Sequence, residues 1–403
     1  MMQPTTTKER YEVLDALRGF ALFGILLANL YSFFGYNALT SEEIVALPTA
    51  DRGVLFFIDW FVEGKFYGVF SILFGVGFAL QAQRFRAADE SFPAFWLRRM
   101  GVLCCIGLLH MYLVWNGDIL TLYSVLGMLL PLFLNLSNRT LLRWILALLS
   151  IPLLIHGLLY LTQEASFWGS MRRLAEGLKT QWGFADRSLL EMRVSDSALE
   201  VFSINVLHAI PRPMSYLMSG RYFKVLGLFL IGLLLARHWL PRIRDNDISV
   251  PRGAIWVGSI GLVASFGYAA IKGAIGTPFE VSEIGLVQAV VYHVGSTCLA
   301  LGISMLFLHM WASGRAKLVF RNLALLGRMA LTNYVFQNVI AVLLFFGYGL
   351  AWMREVPFVY TPLIALGILT AQWAFGRAWL GRFQQGPLEF AWRRLAYRSA
   401  KSK

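Results

Sequence analysis

Charge is scarce in this chain. Only 15% of its residues are Asp, Glu, Lys or Arg, against roughly 25% in soluble domains, which excludes a solvated globular surface over most of the length. Cysteine is nearly absent. Cys104, Cys105 and Cys298 lie inside apolar runs with no CxxC or Cys/His spacing, so they read as small buried hydrophobes rather than metal ligands. HExxH, GxSxG and Walker-type loops are missing, so no motif points to a zinc protease, a serine hydrolase or a phosphate loop, and no metal is expected. A cleavable signal peptide is not expected either: the apolar run 11–34 is too long for an h-region and lacks a small-residue cleavage site. Nor is there a basic stripe interleaved with exposed aromatics. The net charge of +13 therefore does not imply nucleic acid.

What the chain has instead is apolar length. Of its 403 residues 57% are hydrophobic, the mean hydropathy is +0.60, and runs of ~20 apolar residues, enough to cross a bilayer, recur throughout. The expectation is an all-α, polytopic membrane helix bundle forming a single transmembrane domain over 1–403. Ten spans are predicted, near 12–34, 54–82, 96–115, 118–136, 142–162, 220–239, 254–272, 285–311, 323–349 and 358–380. Arg84, Arg86, Arg98, Arg99, Arg237, Arg242, Arg244, Arg252, Arg315, Lys317, Arg321 and the basic tail fall in connections on one side. The other short loops hold little beyond Arg52, Lys272 and Arg354. By the positive-inside rule both termini should be cytoplasmic. Residues 163–219 form one long extracytoplasmic connection, within which 198–218 carries apolar residues at helical spacing and a Pro-Arg-Pro break, as expected of an amphipathic element at the outer interface.

Several polar residues sit inside these spans, where a charge costs at least ~2.5–3.5 kcal/mol and marks a functional path or a pairing partner. Arg18 and Asn29 are on one face of the first span, ~16 Å apart along the axis. Glu63 and Lys65, two apart in the second span, point in different directions, and each needs a partner on another helix or a water-filled cavity. Asp59 and Glu63 are one turn apart, but Asp59 is expected at the outer boundary, where solvation accounts for it. His110 lies about a turn and a half below the short external turn Asn116-Gly117-Asp118, and Asp118 is placed to cap the helix that follows. Asn333 and Gln337, one turn apart in the ninth span, read either as interhelical glue or as site groups. Glu389 and Arg393 read as an i,i+4 pair on a solvated helix. His156, His208, His238 and His309 have no evident partners and read as structural.

Taken together, LDALRGFALFGILLANL, KFYGVFSILFGVGFALQ, GLLHMYLVWNGDILTLYSVLG, GRMALTNYVFQN and GPLEFAWRRL resemble, in order and along nearly the whole chain, the YeiB-like family of bacterial membrane proteins, catalogued as a domain of unknown function. The opening Arg18-Gly19 with Asn29 beyond it is also similar to transmembrane acyltransferases of the heparan-α-glucosaminide acetyltransferase type. A larger acyltransferase superfamily keeps Arg, ten residues, then His, and here Asn29 stands at that histidine's position. The glucosaminide enzymes use a histidine in the first external loop. Residues 35–53 contain none, so His110 would have to substitute.

The resemblance implies acyl-CoA as the cytoplasmic donor substrate and an extracytoplasmic small-molecule or glycan acceptor, with membrane lipid as surroundings and the bacterial inner membrane as location. Acyl transfer needs a base and donors for the developing oxyanion. His110, oriented by Asp118, suits the base. Asn29 and Lys65 suit the donors, and Glu63 lies at the same depth. Arg18 is placed to meet a carrier's phosphates, with Asn333 and Gln337 as further donor-binding candidates. The competing reading is a transporter or flippase of a small or lipid-linked substrate, because embedded charges also mark permeation routes. A homo-oligomer is compatible with either.

Overall fold

The computed structural model describes residues 11–87, 92–162, 166–244, 252–276 and 279–397, and among these every regular element is helical. Among the described residues eight helical segments are long and apolar enough to cross a membrane, or nine if one sharply bent pair counts as a single span. The protein is a multi-pass membrane helix bundle.

Helix α1 (Glu12–Phe33) is its axis. Glu12 and Asp15 place negative charge in the first turn, where the helix dipole favours it. Leu14, Leu17, Leu22, Leu26 and Leu30 are buried around the helix, as expected of a helix that is apolar on all sides and enclosed by others.

The second span is discontinuous. Helix α2 (Thr49–Phe57) runs into a π turn (Ile58–Val62), the chain unwinds at Glu63, and α3 (Phe66–Ala87) resumes. Gly64 adopts φ +81° at the break, a conformation that favours glycine. Helix α4 (Phe92–Leu113) follows. The expected fourth span, 118–136, comes out shorter: α5 (Leu120–Gly127) stops, and a 3-10 turn (Leu130–Phe133) continues. The cause is Pro131, which has no N–H to give the Gly127 carbonyl. Trp96 Nε1 donates to that carbonyl instead, at 2.8 Å.

The remaining helices of seven residues or more are α6 (Asn138–Thr162), α7 (Ser166–Gln181), α8 (Ala198–Ala209), α9 (Arg212–Met218), α10 (Arg221–Arg244), α11 (Arg252–Ile275), α12 (Glu283–Ala312), α13 (Lys317–Arg328), α14 (Ala330–Phe345), α15 (Thr361–Leu380) and α16 (Pro387–Tyr397). The expected ninth span is the α13/α14 pair, bent by 84° at Met329. Backbone groups freed in apolar surroundings must find partners. Asn333 Nδ2 donates to the Leu326 carbonyl at 2.8 Å, and the Glu389 carboxylate on α16 accepts from Leu331 N at 2.7 Å and Thr332 N at 3.1 Å. Glu389 is thus a buried cap supplied from the C-terminal helix, not half of a solvated pair.

Small residues let the helices close up, as they do in membranes. Gly19 on α1 and Gly327 on α13 face one another so closely that a Cβ on either would overlap the other helix's backbone. Gly75 on α3 and Gly232 on α10 do the same.

The bundle has two distinct ends. Trp392 on α16 donates to the Arg99 carbonyl, Arg86 meets Asn135, and Arg237 donates to the carbonyls of Leu134 and Leu136, all at the basic end. At the other end, the described part of the 163–219 connection folds back over the helices. Met192, Ile204 and Leu207 make a small core of their own with Leu178 and Phe184. Asn205 Nδ2 donates to the Val114 carbonyl at 3.3 Å, and Gly347 N donates to the Arg193 carbonyl at 3.0 Å. The 198–218 segment is therefore two docked helices, α8 and α9, with Val201, Ile204 and Leu207 buried. The Pro-Arg-Pro sequence starts the second of them.

Candidate functional site

Two cavities lie end to end along α1. The inner one, about 270 Å³, is lined by Asp15 and Arg18 of α1, Gln81 and Arg84 of α3, Arg99 of α4, Tyr123 of α5, Arg328 and Leu331 beside the Met329 bend, and Glu389, Trp392 and Arg393 of α16. Tyr11 and Tyr397 also line it, so both ends of the described chain lie at this end of the bundle. The outer one, about 220 Å³, is lined by Asn29 and Ser32 of α1, Glu63 and Gly64 at the break in the second span, Asn116, Arg193, Arg212, Tyr216 and Arg221. Ile25, Ile119 and Tyr334 border both cavities and form the wall between them. Each discontinuous helix opens its break onto one chamber, Glu63-Gly64 onto the outer and Gly327–Ala330 onto the inner.

Behind that wall is a hydrogen-bonded chain of side chains. His110 is buried; its Nδ1 lies 3.1 Å from Asp118 Oδ1, and its Nε2 lies 3.0 Å from Asn338 Nδ2. Asn338 Oδ1 in turn accepts from Asn29 Nδ2 at 3.3 Å. This pattern assigns the proton to Nδ1, facing the carboxylate, and leaves the Nε2 lone pair to the Asn338 amide. The position of Asp118 follows from local sequence: its carboxylate accepts from Leu120 N at 3.1 Å and Thr121 N at 2.7 Å, capping α5. The Tyr334 ring lies 5.3 Å from the His110 ring, and its hydroxyl accepts from Ile119 N at 3.2 Å.

The structure thus brings His110, Asp118 and Asn29 together and puts Glu63 in the adjoining outer cavity. Arg18 lies in the inner cavity, paired with Asp15 at 2.7 Å. Lys65 lines neither chamber. Its Nζ donates to the Asp59 carbonyl at 2.7 Å, while the Asp59 carboxylate pairs with Lys272 of α11 at 2.6 Å. Asp59 is therefore buried in an ion pair between helices, not solvated at a boundary. Asn333 and Gln337 also line neither chamber: Asn333 serves the α13/α14 bend, its carbonyl accepting from Gln372 at 2.6 Å. Tyr123 donates to the Tyr67 carbonyl at 2.8 Å.

Local sequence reading missed the outer arginines and their neighbours. Arg193 Nη2 lies 3.4 Å from Asn116 Oδ1 and 3.3 Å from His208 Nδ1, which also faces Asn116 Nδ2 at 3.3 Å. His208 therefore has a polar setting. Burial, and then the nearby Arg193 and Arg212, push its pKa down to about 3, so it is neutral there. Burial also lowers the Arg193 pKa, to about 10. Arg212 Nε donates to the Tyr216 hydroxyl at 2.9 Å, and that hydroxyl donates to the Asp118 carbonyl at 3.0 Å. The Arg221 guanidinium lies over the Tyr67 and Tyr216 rings, at 5.5 and 5.2 Å. Of the other histidines set aside, His238 pairs with Asn138 at 3.0 Å and His156 lies against the His293 ring, 5.7 Å away. A Pro-Arg-Pro break beside a histidine was the one available signal for the outer group.

Fold and chambers together define a multi-pass, helical membrane protein with two cavities in series, the inner largely apolar with charged side chains in its lining and the outer polar. Residues 234–399 match a family described as "Protein of unknown function (DUF418)". Similarity runs along the whole chain to the uncharacterized protein YxaH of Bacillus subtilis (strain 168), 28% identical over 99% of this chain and 97% of the relative. It extends equally to the uncharacterized protein YeiB of Escherichia coli (strain K12), 27% identical over 97% of each. A 39.9 kDa uncharacterized protein from the amylase 3' region of Bacillus acidopullulyticus is 26% identical over 98% of this chain and 96% of its own length. These matches support the YeiB-like resemblance and carry no activity with them. No solved structure matches the chain.

Proposed function

We propose that this protein is a transmembrane acyltransferase of the bacterial inner membrane, passing an acyl group from cytoplasmic acyl-CoA to an extracytoplasmic envelope acceptor. The observation that carries the reading is the pair of cavities meeting at Ile25, Ile119 and Tyr334, with the His110–Asp118 pair directly behind that wall. In this reading the basic end faces the cytoplasm. The ten-span topology is then made of the eight long segments, the bent α13/α14 pair and the short α5 segment, with both termini inside.

The chemistry asked of the residues is modest. Arg18 and Arg99 supply guanidinium groups for the donor's phosphates. His110, held by Asp118 in the Nδ1–H tautomer, takes the proton of the acceptor hydroxyl or amine at Nε2 once Asn338 swings aside. The acceptor oxygen or nitrogen bonds to the thioester carbonyl carbon, the C–S bond breaks, and the coenzyme A thiolate leaves and collects the proton from His110. The Asn29 amide, which lines the outer cavity, and the Asn338 amide bonded to it are the side-chain donors for the transient oxyanion in this reading.

The test is turnover of acyl-CoA by the purified protein. Hydrolysis or transfer is expected, with His110→Ala abolishing it while the protein stays folded and monodisperse. Normal turnover in that variant would remove His110 from the mechanism. A second reading, transport or flipping of a small or lipid-linked substrate, is favoured by one observation: each of the two broken helices opens onto one chamber, as in carriers with half-helices at the substrate site. Absence of acyl-CoA binding by calorimetry would select it.

A further inference from the structure

The outer cavity holds three guanidinium groups, those of Arg193, Arg212 and Arg221, and its lining contains one carboxylate, Glu63. Among the described residues no carboxylate lies in ion-pair contact with any of the three arginines, and the partners they do have are neutral: an amide, an imidazole, a phenol and two aromatic faces. Arg193 is only 4% exposed, yet its Nε is buried with no hydrogen-bond partner. A buried cation without a counter-ion is costly, and natural proteins pair such groups with an opposite charge or a ligand.

We infer that the outer cavity is a binding site for a phosphate group, held by Arg193, Arg212 and Arg221. Guanidinium groups match phosphate oxygens with paired N–H donors and keep their charge when desolvated. At about 220 Å³ the cavity is smaller than the ~300–1,000 Å³ that encloses a whole drug-sized ligand, so it takes the phosphorylated head of a larger molecule. The head comes either from a phospholipid or from a water-soluble phosphorylated sugar. Asn29, which reaches His110 through Asn338, lines the same cavity, so the phosphate would anchor the acceptor with its nucleophile turned toward the junction. The assignment as acceptor site rests on the acyl-transfer reading, whereas the anion binding does not.

The test is calorimetric titration of the full-length protein in detergent with inorganic phosphate, glucose 6-phosphate and a short-chain phosphatidic acid, using glucose as the uncharged control. Saturable binding of phosphate but not glucose is expected. Arg221→Gln and Arg193→Gln should each weaken it by about tenfold or more, the size of one lost charge-assisted hydrogen bond. Arg221 is only partly buried, so its variant stands if the Arg193 variant does not fold. Tighter binding of glucose 6-phosphate identifies a soluble source, and tighter binding of phosphatidic acid a lipid headgroup. Acyl-CoA binding measured on the same variants separates the two claims. Phosphate binding lost with acyl-CoA binding intact supports the outer site. Phosphate binding that is absent in the wild type, or that is unchanged in both outer variants and lost in Arg18→Gln, overturns it without touching the acyl-transfer reading.

Discussion

The two chambers share a wall and a sign of charge, yet are built differently. The inner one sets five arginines against Asp15 and Glu389 and surrounds them with apolar side chains such as Leu73, Phe74 and Leu103. Of its arginines, Arg18 pairs with the Asp15 carboxylate, Arg328 reaches the Gln384 carbonyl at 3.2 Å, and Arg99 stacks 3.7 Å over Trp392 with its Nε buried and unpartnered. The outer one has fewer apolar neighbours, and its arginines hydrogen-bond or stack only on neutral groups, with Glu63 the one carboxylate in its lining. A chamber that mixes hydrocarbon with guanidinium groups suits the inserted part of a long molecule with a greasy end and phosphates, since at about 270 Å³ it too encloses only part of such a ligand. A polar chamber with three cations against one carboxylate suits a compact anionic head. The comparison shows that the same sign of net charge does not mean equal chemistry: what matters is what surrounds the cations.

The largest expected effect falls at His110, which lines neither chamber and lies behind their shared wall, its ring 5.3 Å from that of Tyr334. His110→Ala should lower acyl-CoA turnover by ~10²–10⁴-fold, the usual worth of a positioned acid–base group, with acyl-CoA binding in the inner chamber nearly unchanged. A variant that lost binding and turnover together would show that the two chambers are not separable. On the inner side, Glu389→Ala removes the cap on α14 and should cost roughly 0.5–2 kcal/mol, read as a lower temperature for loss of monodisperse protein, with the outer site's phosphate binding retained. The smallest effect is on the outer side and depends on pH. Folded His208 stays neutral down to about 3, whereas an unfolded histidine takes up its proton below ~6.5. The unfolded state therefore binds more protons in that window, and stability falls as pH drops from ~6.5 toward 3 and is flat above it. His208→Gln should flatten this dependence in thermal unfolding profiles, and an unchanged slope would place the titrating group elsewhere.

Some of this arrangement was readable from sequence. Apolar length alone located the long spans, because a bilayer imposes it. The eleven-residue step from Arg18 to Asn29 put a cation in one chamber and an amide in the other, since helix pitch is regular. The short turn before Asp118 placed that carboxylate beside His110. What escaped was set by contacts distant in sequence. Glu389 caps a helix end 58 residues before it. Asp59 pairs with Lys272, 213 residues away. Lys65 turned from the chamber because the Asp59 carbonyl was freed where the second span unwinds. Arg193 and Arg212 were read only as part of the long outer connection, Arg212 within its amphipathic interfacial element, because no local periodicity reports that α8 and α9 fold over the cavity mouth. The Met329 bend lay inside one predicted span, 323–349, where hydropathy averaged over a window cannot distinguish one helix from two.

The central claim is that a donor held among Arg18 and Arg99 reaches the wall formed by Ile25, Ile119 and Tyr334. An electron cryo-microscopy map of the protein with a non-hydrolysable acyl-CoA analogue reads this directly. The account predicts phosphate density beside Arg18 and Arg99 in the inner chamber, with the acyl end against Tyr334 and within reach of His110. An analogue bound elsewhere, or an inner chamber filled by side chains in its presence, would contradict it.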